Sequence, residues 1–186
     1  VDGERLEGDN AYELDSGGKV AAVKRLCLGE LPPTLVIQLK RFEFDYEKMV
    51  NVKLNSECSF PMRLDCSPFT RRGLECAARG EPLPPSPPYE LAGVVVHAGS
   101  SGGGHYFSYA CPRDGPTAGK WFAFNDTKVT RFDEARLPQQ CYGGGAAAAA
   151  RTAAERASAS QSGFLLLYRR VESSRHRRIG SAPPVG

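Results

Sequence analysis

The stretch YELAGVVVHAGSSGGGHYFSYA, residues 89–110, decides the fold. Its first half is rich in β-branched valine and reads as a strand; from His105 onward aromatic and small residues alternate and read as another. Glycines separate the two. KWFAFNDTKVTRF, residues 120–132, is a third strand-like segment. Three such segments joined by glycine-containing loops predict an antiparallel sheet.

Working outward, LPPTLVIQLKRFEF at 31–44 carries Leu35, Val36, Ile37 and Leu39 behind Pro32 and Pro33, and reads as a buried strand. GFLLLYRR at 163–170 reads as a final buried strand. VNVKLNSECSF at 50–60 alternates, which puts Val50, Val52 and Leu54 on one face. KVAAVKRLCLGEL at 19–31 alternates loosely and reads as a strand, whereas 1–18 is polar loop. DEARLPQQC at 133–141 suggests a short helix.

Two segments break the pattern. Residues 71–88 combine Pro, Gly and charge, and predict a flexible insertion without enough apolar surface to order itself. Residues 143–161 are Ala- and Gly-rich without an apolar stripe, and fit either a helix or a disordered insertion. The basic end at 173–186, with His176 among its arginines, reads as a solvated tail or linker; a nuclear-targeting or acidic-partner role is the alternative.

Bulk properties narrow the class. A chain of 186 residues that is 41% hydrophobic can build a core. Its formal charge of +3 comes without a basic stripe interleaved with aromatics, so nothing points to nucleic acid. No apolar run of about eighteen residues predicts a membrane span. The six cysteines (Cys27, Cys58, Cys66, Cys76, Cys111 and Cys141) form no CxxC pair. They read as free thiols of a reducing compartment, cytoplasmic or nuclear.

Of the remaining histidines, His97 ends a valine strand and reads as structural. His105 stands where glycines meet a strand, so one side of its ring can face a cleft. If the 104–110 and 120–125 strands pair antiparallel, His105 and Asn125 fall at neighbouring strand ends. An amide or carboxylate there could fix the imidazole tautomer, as in Cys-His-Asn or Ser-His-Asp arrangements. The plainer alternative is that Asn125 and Asp126 only form a turn.

With LPPTLVIQLKRFEFD, the 89–110 stretch, KWFAFNDTKVTRF and GFLLLYRR in this order, the chain resembles the catalytic domain of ubiquitin-specific proteases. The segments NAY, FPMRLDCSPFT and QQCYGG are most similar to its fat-facets subfamily. The resemblance implies an α+β, papain-like cysteine peptidase fold of thumb, palm and fingers. Only part of it is expected here: palm and fingers strands, with most of the helical thumb outside the chain. The implied division is a catalytic-domain part over 1–172, with fingers and palm strands at 1–60, insertions at 71–88 and 143–162, palm at 89–142 and a closing palm strand at 163–170.

By the same resemblance, His105 is the general base, Asn125 orients it and Asp126 assists. Gly102, Gly103 and Gly104 belong to a mobile loop over the C-terminal tail of ubiquitin, with Tyr106, Trp121 and His97 walling or supporting that channel. Ubiquitin or ubiquitinated proteins are the implied partners, and no cofactor is implied. The family nucleophile opens a helix early in the domain, and no cysteine here sits at such a start. The thiol and oxyanion donors are therefore expected upstream, and the chain alone is expected to be inactive. Where the family carries a second zinc CxxC pair, Leu14 and Gly17 stand instead, so no structural zinc is expected. The alternatives are a catalytically dead ubiquitin-binding module, or a peptidase for another ubiquitin-like modifier.

Overall fold

The structure, a computed structural model, describes residues 3–145 and 160–171. The expectations for 146–159, for 172–186 and for His176 lie outside the described residues. The chain divides into two compact units, Val1–Pro32 with Asp65–Pro87, and Pro33–Leu64 with Pro88–Gly186.

The first unit is built from short elements. Strand β1 (Glu4–Leu6) pairs antiparallel with β4 (Ala22–Lys24), and β2 (Tyr12–Glu13) pairs with β3 (Lys19–Val20). The single strand expected over 19–31 is therefore broken: β3 and β4 serve different partners, and Leu28 makes only a parallel bridge to Thr70. The larger departure is helix α1 (Arg71–Arg79), inside the stretch expected to be a flexible insertion. Composition averaged over 71–88 hides its stop signals. The Thr70 hydroxyl accepts from the Gly73 amide at 3.0 Å, Arg79 lies in the last turn, and Gly80 closes the helix in the left-handed region. The prolines begin only afterwards. Gly73 and Cys76 form the buried side of this helix.

The second unit holds a seven-stranded antiparallel sheet. Its members are β5 (Thr34–Gln38), β8 (Arg63–Leu64), β9 (Tyr89–Ser100), β10 (Gly103–Ala110), β11 (Phe122–Asn125), β12 (Lys128–Arg131) and β13 (Ser162–Arg170). The order β12-β11-β10-β9-β13-β5, with β8 also on β9, makes β9 a central strand. Its valines suit that place. Tyr89, Val94 and Val96 are fully buried, and Leu166 and Tyr168 of β13 nearly so. The Tyr168 hydroxyl donates to the Pro61 carbonyl at 2.7 Å. The register skips Phe164 on β13 between Gly163 and Leu165, and Ala92 on β9 opposite Leu167 and Tyr168, which marks one bulge on each strand. The segment expected as one strand at 120–132 is a hairpin, in which Asp126 and Thr127 turn β11 into β12. The expected short helix at 133–141 is a 3-10 turn followed by α2 (Leu137–Cys141). No helix among the described residues is long and apolar enough to cross a membrane.

Strands β6 (Phe42–Asp45) and β7 (Val50–Lys53) form a separate hairpin. Its alternation does not sort apolar from polar as expected. Val50 is 47% exposed, while Lys53 turns partly inward. A two-stranded ribbon has no core of its own, so one neighbouring group can decide which face is covered.

That group is Arg41, 4% exposed, between β5 and β6. Its Nε donates to Gly163 O at 3.2 Å, Nη1 to Ser56 O at 2.6 Å and Leu54 O at 3.3 Å, and Nη2 to Tyr142 O at 3.2 Å. Truncating it removes all four contacts at once, and Tyr142 O keeps a second donor, the Cys58 amide. Urea denaturation should show Arg41→Ala destabilised by at least about 3 kcal/mol. Arg41→Lys should recover less than half, because a single ammonium cannot span the four acceptors. A loss below about 1 kcal/mol in Arg41→Ala would refute this role for the guanidinium.

Candidate active site

His105 is the third residue of β10 and Asn125 the last of β11. The two strands pair antiparallel through Ser108↔Phe124, Tyr109↔Ala123 and Ala110↔Phe122. Beyond the paired stretch, His105 Nε2 lies 2.5 Å from Asn125 Oδ1. An amide oxygen only accepts, so Nε2 carries the hydrogen and Nδ1 keeps its lone pair. The pair thus selects one tautomer and leaves a basic nitrogen facing away from the amide. Asn125 and Asp126 are also the turn of the plainer reading, so both expectations describe the same residues. Asp126, at φ +50, starts the turn and brings Oδ2 to 3.8 Å from His105 Nε2. The side chains of His105 and Asp126 are 47% and 76% exposed. Water screens their attraction, which exists only when the ring is protonated.

The two faces of β10 do different work. His105, Phe107 and Tyr109 share one face, where the Phe107 ring lies nearly parallel to His105 at 6.3 Å between centroids. Tyr106, on the other face, packs on His97 at 4.7 Å and Phe164 at 5.6 Å while staying 49% exposed. Phe107 was not picked out by sequence reasoning; its position two residues after His105 in a strand was the available signal.

The glycine run differs from the expected mobile loop. Gly103 pairs with Ser100 and Gly104 with Gly99, so only Ser101 and Gly102 turn the hairpin. Two glycines are imposed by close approach. A Cβ on Gly104 would lie 2.3 Å from His97 Nε2 and 2.5 Å from Ala98 O; one on Gly99 would lie 2.5 Å from Gly103 O. Gly102 and Gly103 meet no such limit. Small residues here serve packing within the hairpin, and backbone hydrogen bonds stiffen what composition suggested was loose.

His97 also differs from expectation. At 3% exposed its ring does not face solvent, and it lies inside the sheet's covering layer rather than on a channel surface. Cross-strand pairing with Tyr106 puts it inside, edge-on to Phe42 at 5.2 Å. Burial pushes its pKa down, and the Lys53 charge pushes the same way. Its Nδ1 is buried without a hydrogen-bond partner. Trp121, 4% exposed, is likewise core. Lys53 donates Nζ to His97 O at 2.8 Å and also to Ser160 O. Burial, then the Arg41 charge, lowers its pKa to about 8.

All six cysteines are free thiols, and none hydrogen-bonds His105. Burial pushes the thiols of Cys66, Cys111 and Cys141 up, the last to about 12, opposite to what an attacking thiolate needs. Cys111 also lies six residues along an extended strand from His105, about 20 Å away. The zinc position of the resemblance falls in the β2–β3 hairpin. There the Leu14 amide donates to Gly18 O and the Gly17 amide to Leu14 O, each at 2.9 Å. Leucine and glycine supply no thiolate, so the residues do not fit the metal. Among the described residues no cluster of three His, Cys, Asp or Glu side chains is placed to hold one.

Residues 8–168 match the family described as ubiquitin carboxyl-terminal hydrolase, and the chain belongs to it. It is 42% identical over 158 residues to "Probable ubiquitin carboxyl-terminal hydrolase FAF" of Drosophila melanogaster, covering 77% of this chain and 6% of that one. It is 38% identical over 167 residues to ubiquitin carboxyl-terminal hydrolase 9X of Mus musculus, with the same coverage. The chain thus spans a small fraction of the length of these relatives. Among solved structures, it is similar to the SAGA DUB module containing Ubp8 and bound to monoubiquitin. That match has TM-score 0.63 at 26% identity and covers 91% of this chain and 30% of that chain.

The low pKa of His97 has a stability consequence. The folded state binds its proton less readily than the unfolded state, so stability is present above the ordinary histidine value and falls as pH drops below it. The thermal midpoint should decline between pH 7 and pH 5, and His97→Gln should flatten that decline. A His97→Gln protein with an unchanged slope would assign the acid sensitivity to another group.

Proposed function

We propose that this chain supplies the base and orienting half of a thiol-dependent deubiquitinase site, cleaving isopeptide or peptide bonds at the C-terminal glycine of ubiquitin. The single observation that carries this reading is the 2.5 Å contact between His105 and Asn125 on adjacent strands. Membership of the ubiquitin carboxyl-terminal hydrolase family supports the substrate class.

With Nε2–H donated to Asn125, Nδ1 takes the proton of an attacking thiol. The thiolate adds to the glycine carbonyl, and the imidazolium returns the proton to the departing amine as a thioester forms. Water activated by the same nitrogen then releases the acid and the thiol. While the ring is charged, the Asp126 carboxylate at 3.8 Å favours it. Raised thiol pKa values and the absence of a cysteine bonded to His105 argue for a nucleophile outside these 186 residues. Free thiols fit work in a reducing compartment, cytoplasm or nucleus.

Hydrolysis of a ubiquitin C-terminal fluorogenic amide by the full-length natural protein tests this. His105→Ala should lower kcat/KM by at least about 100-fold. Asn125→Ala should lower kcat with little change in KM, and Asn125→Asp should restore much of it. A rate indifferent to His105→Ala would remove the base assignment. Ubiquitin binding without hydrolysis would favour a non-catalytic binding module. Turnover by the 186-residue chain alone would place the nucleophile within it.

A further inference from the structure

We infer that His97 is a positioning residue for His105, acting through the strand that carries it; this rests on the reading of His105 as the base. The argument begins with strand alternation. Gly104 and Tyr106, the two neighbours of His105 in sequence, point to the face of the sheet opposite His105. The His97 ring touches both. It packs at a tilt on Tyr106, its cross-strand partner, at 4.7 Å, and its Nε2 fills the space where Gly104 would carry a Cβ. The backbone of His105 therefore rests on the His97 ring from behind.

The ring is itself held. Phe42 meets it edge-on at 5.2 Å, and Phe164 closes the box by packing on Phe42 at 5.9 Å and on Tyr106 at 5.6 Å. Lys53 fastens the His97 carbonyl, the Gly99 amide donates to Ser160 Oγ at 2.9 Å, and the Ser101 hydroxyl donates to the Asn51 carbonyl. The β6–β7 hairpin thus clasps the hairpin that bears His105.

An imidazole is an odd choice if packing were its whole task. Its Nδ1 is buried with no hydrogen-bond partner, an arrangement that weakens the fold and that an aliphatic side chain would avoid. A five-membered ring is flat enough to lie under Gly104 and broad enough to support Tyr106, which an aliphatic chain is not. A hydrogen bond of 2.5 Å between side chains on different strands tolerates little backbone displacement, so the height of this support decides whether His105 meets Asn125.

The test reads the His105 tautomer directly and needs no substrate. These 186 residues hold three histidines, so ring nitrogen signals of the 15N-histidine-labelled chain can be assigned by substitution. In the parent, His105 should show one fixed tautomer with Nε2 protonated; Asn125→Ala supplies the exchange-averaged reference. His97→Ala should move His105 to that averaged pattern, and His97→Asn, which keeps a planar polar group, should return part of it. Phe42→Leu, which trims the far wall without substituting either histidine or any residue of the β9–β10 hairpin, should shift the pattern in the same direction. A folded His97→Ala protein with lowered thermal midpoint but the parent His105 pattern would show a purely structural residue and overturn the inference. If His97→Ala does not fold, an unchanged pattern in Phe42→Leu does so. Loss of the base assignment in the hydrolysis experiment would leave this tautomer result standing, so the two failures are distinct.

Discussion

A single buried guanidinium ties together the chain segments on which the candidate site is built. All four acceptors of Arg41 are main-chain carbonyls, and each belongs to a segment leaving regular structure. Leu54 and Ser56 follow β7, Tyr142 ends α2, and Gly163 sits at the bulge of β13. One of them, Tyr142 O, also accepts from the Cys58 amide at 2.9 Å, so the guanidinium adds a second bond there. Arginine suits the task because its five donors spread in one plane and it cannot shed its proton to escape burial. Neutral carbonyl dipoles solvate the charge without cancelling it, so its field persists in the surrounding core.

That field reaches the site in two steps. Arg41 and burial together lower Lys53 to about 8, so the ammonium is held by hydrogen bonds to carbonyls rather than by an opposite charge. Lys53 in turn fastens His97 and adds to what keeps its ring neutral. A neutral ring can lie against Gly104 and among aromatic edges, where an imidazolium would have to be desolvated. Arg41, Lys53 and His97 therefore form a descending series from a permanent charge, through a weakened one, to none. His105 lies on the opposite face of the neighbouring strand rather than on a loop.

The parts legible in sequence are those governed by local pattern. The valine strand β9, the aromatic strand β10 and the closing β13 follow from alternation and β-branching, and the His105–Asn125 contact follows once β10 and β11 pair. What escaped has a different origin. Helix α1 was hidden because 71–88 was weighed as one composition, while Thr70 and Gly80 delimit nine helical residues within it. Glycines 99 and 104 look like flexibility in a string of letters but are imposed by His97 Nε2 and by the Ala98 and Gly103 carbonyls. Nothing in the local pattern singles out Arg41 or Lys53. Their acceptors lie 13 to 122 residues away in sequence, beyond the reach of any periodicity.

The exposure of His105 carries a mechanistic implication. A ring with 47% of its side chain in water gains little from a carboxylate 3.8 Å away that is itself 76% exposed. The same geometry strengthens when water is excluded, since the attraction scales inversely with the local dielectric. The Asn125 contact responds less, because it is short and directional. The two neighbours of His105 thus differ in kind: Asn125 makes a direct contact, and Asp126 stands at a distance where solvent screening decides its weight.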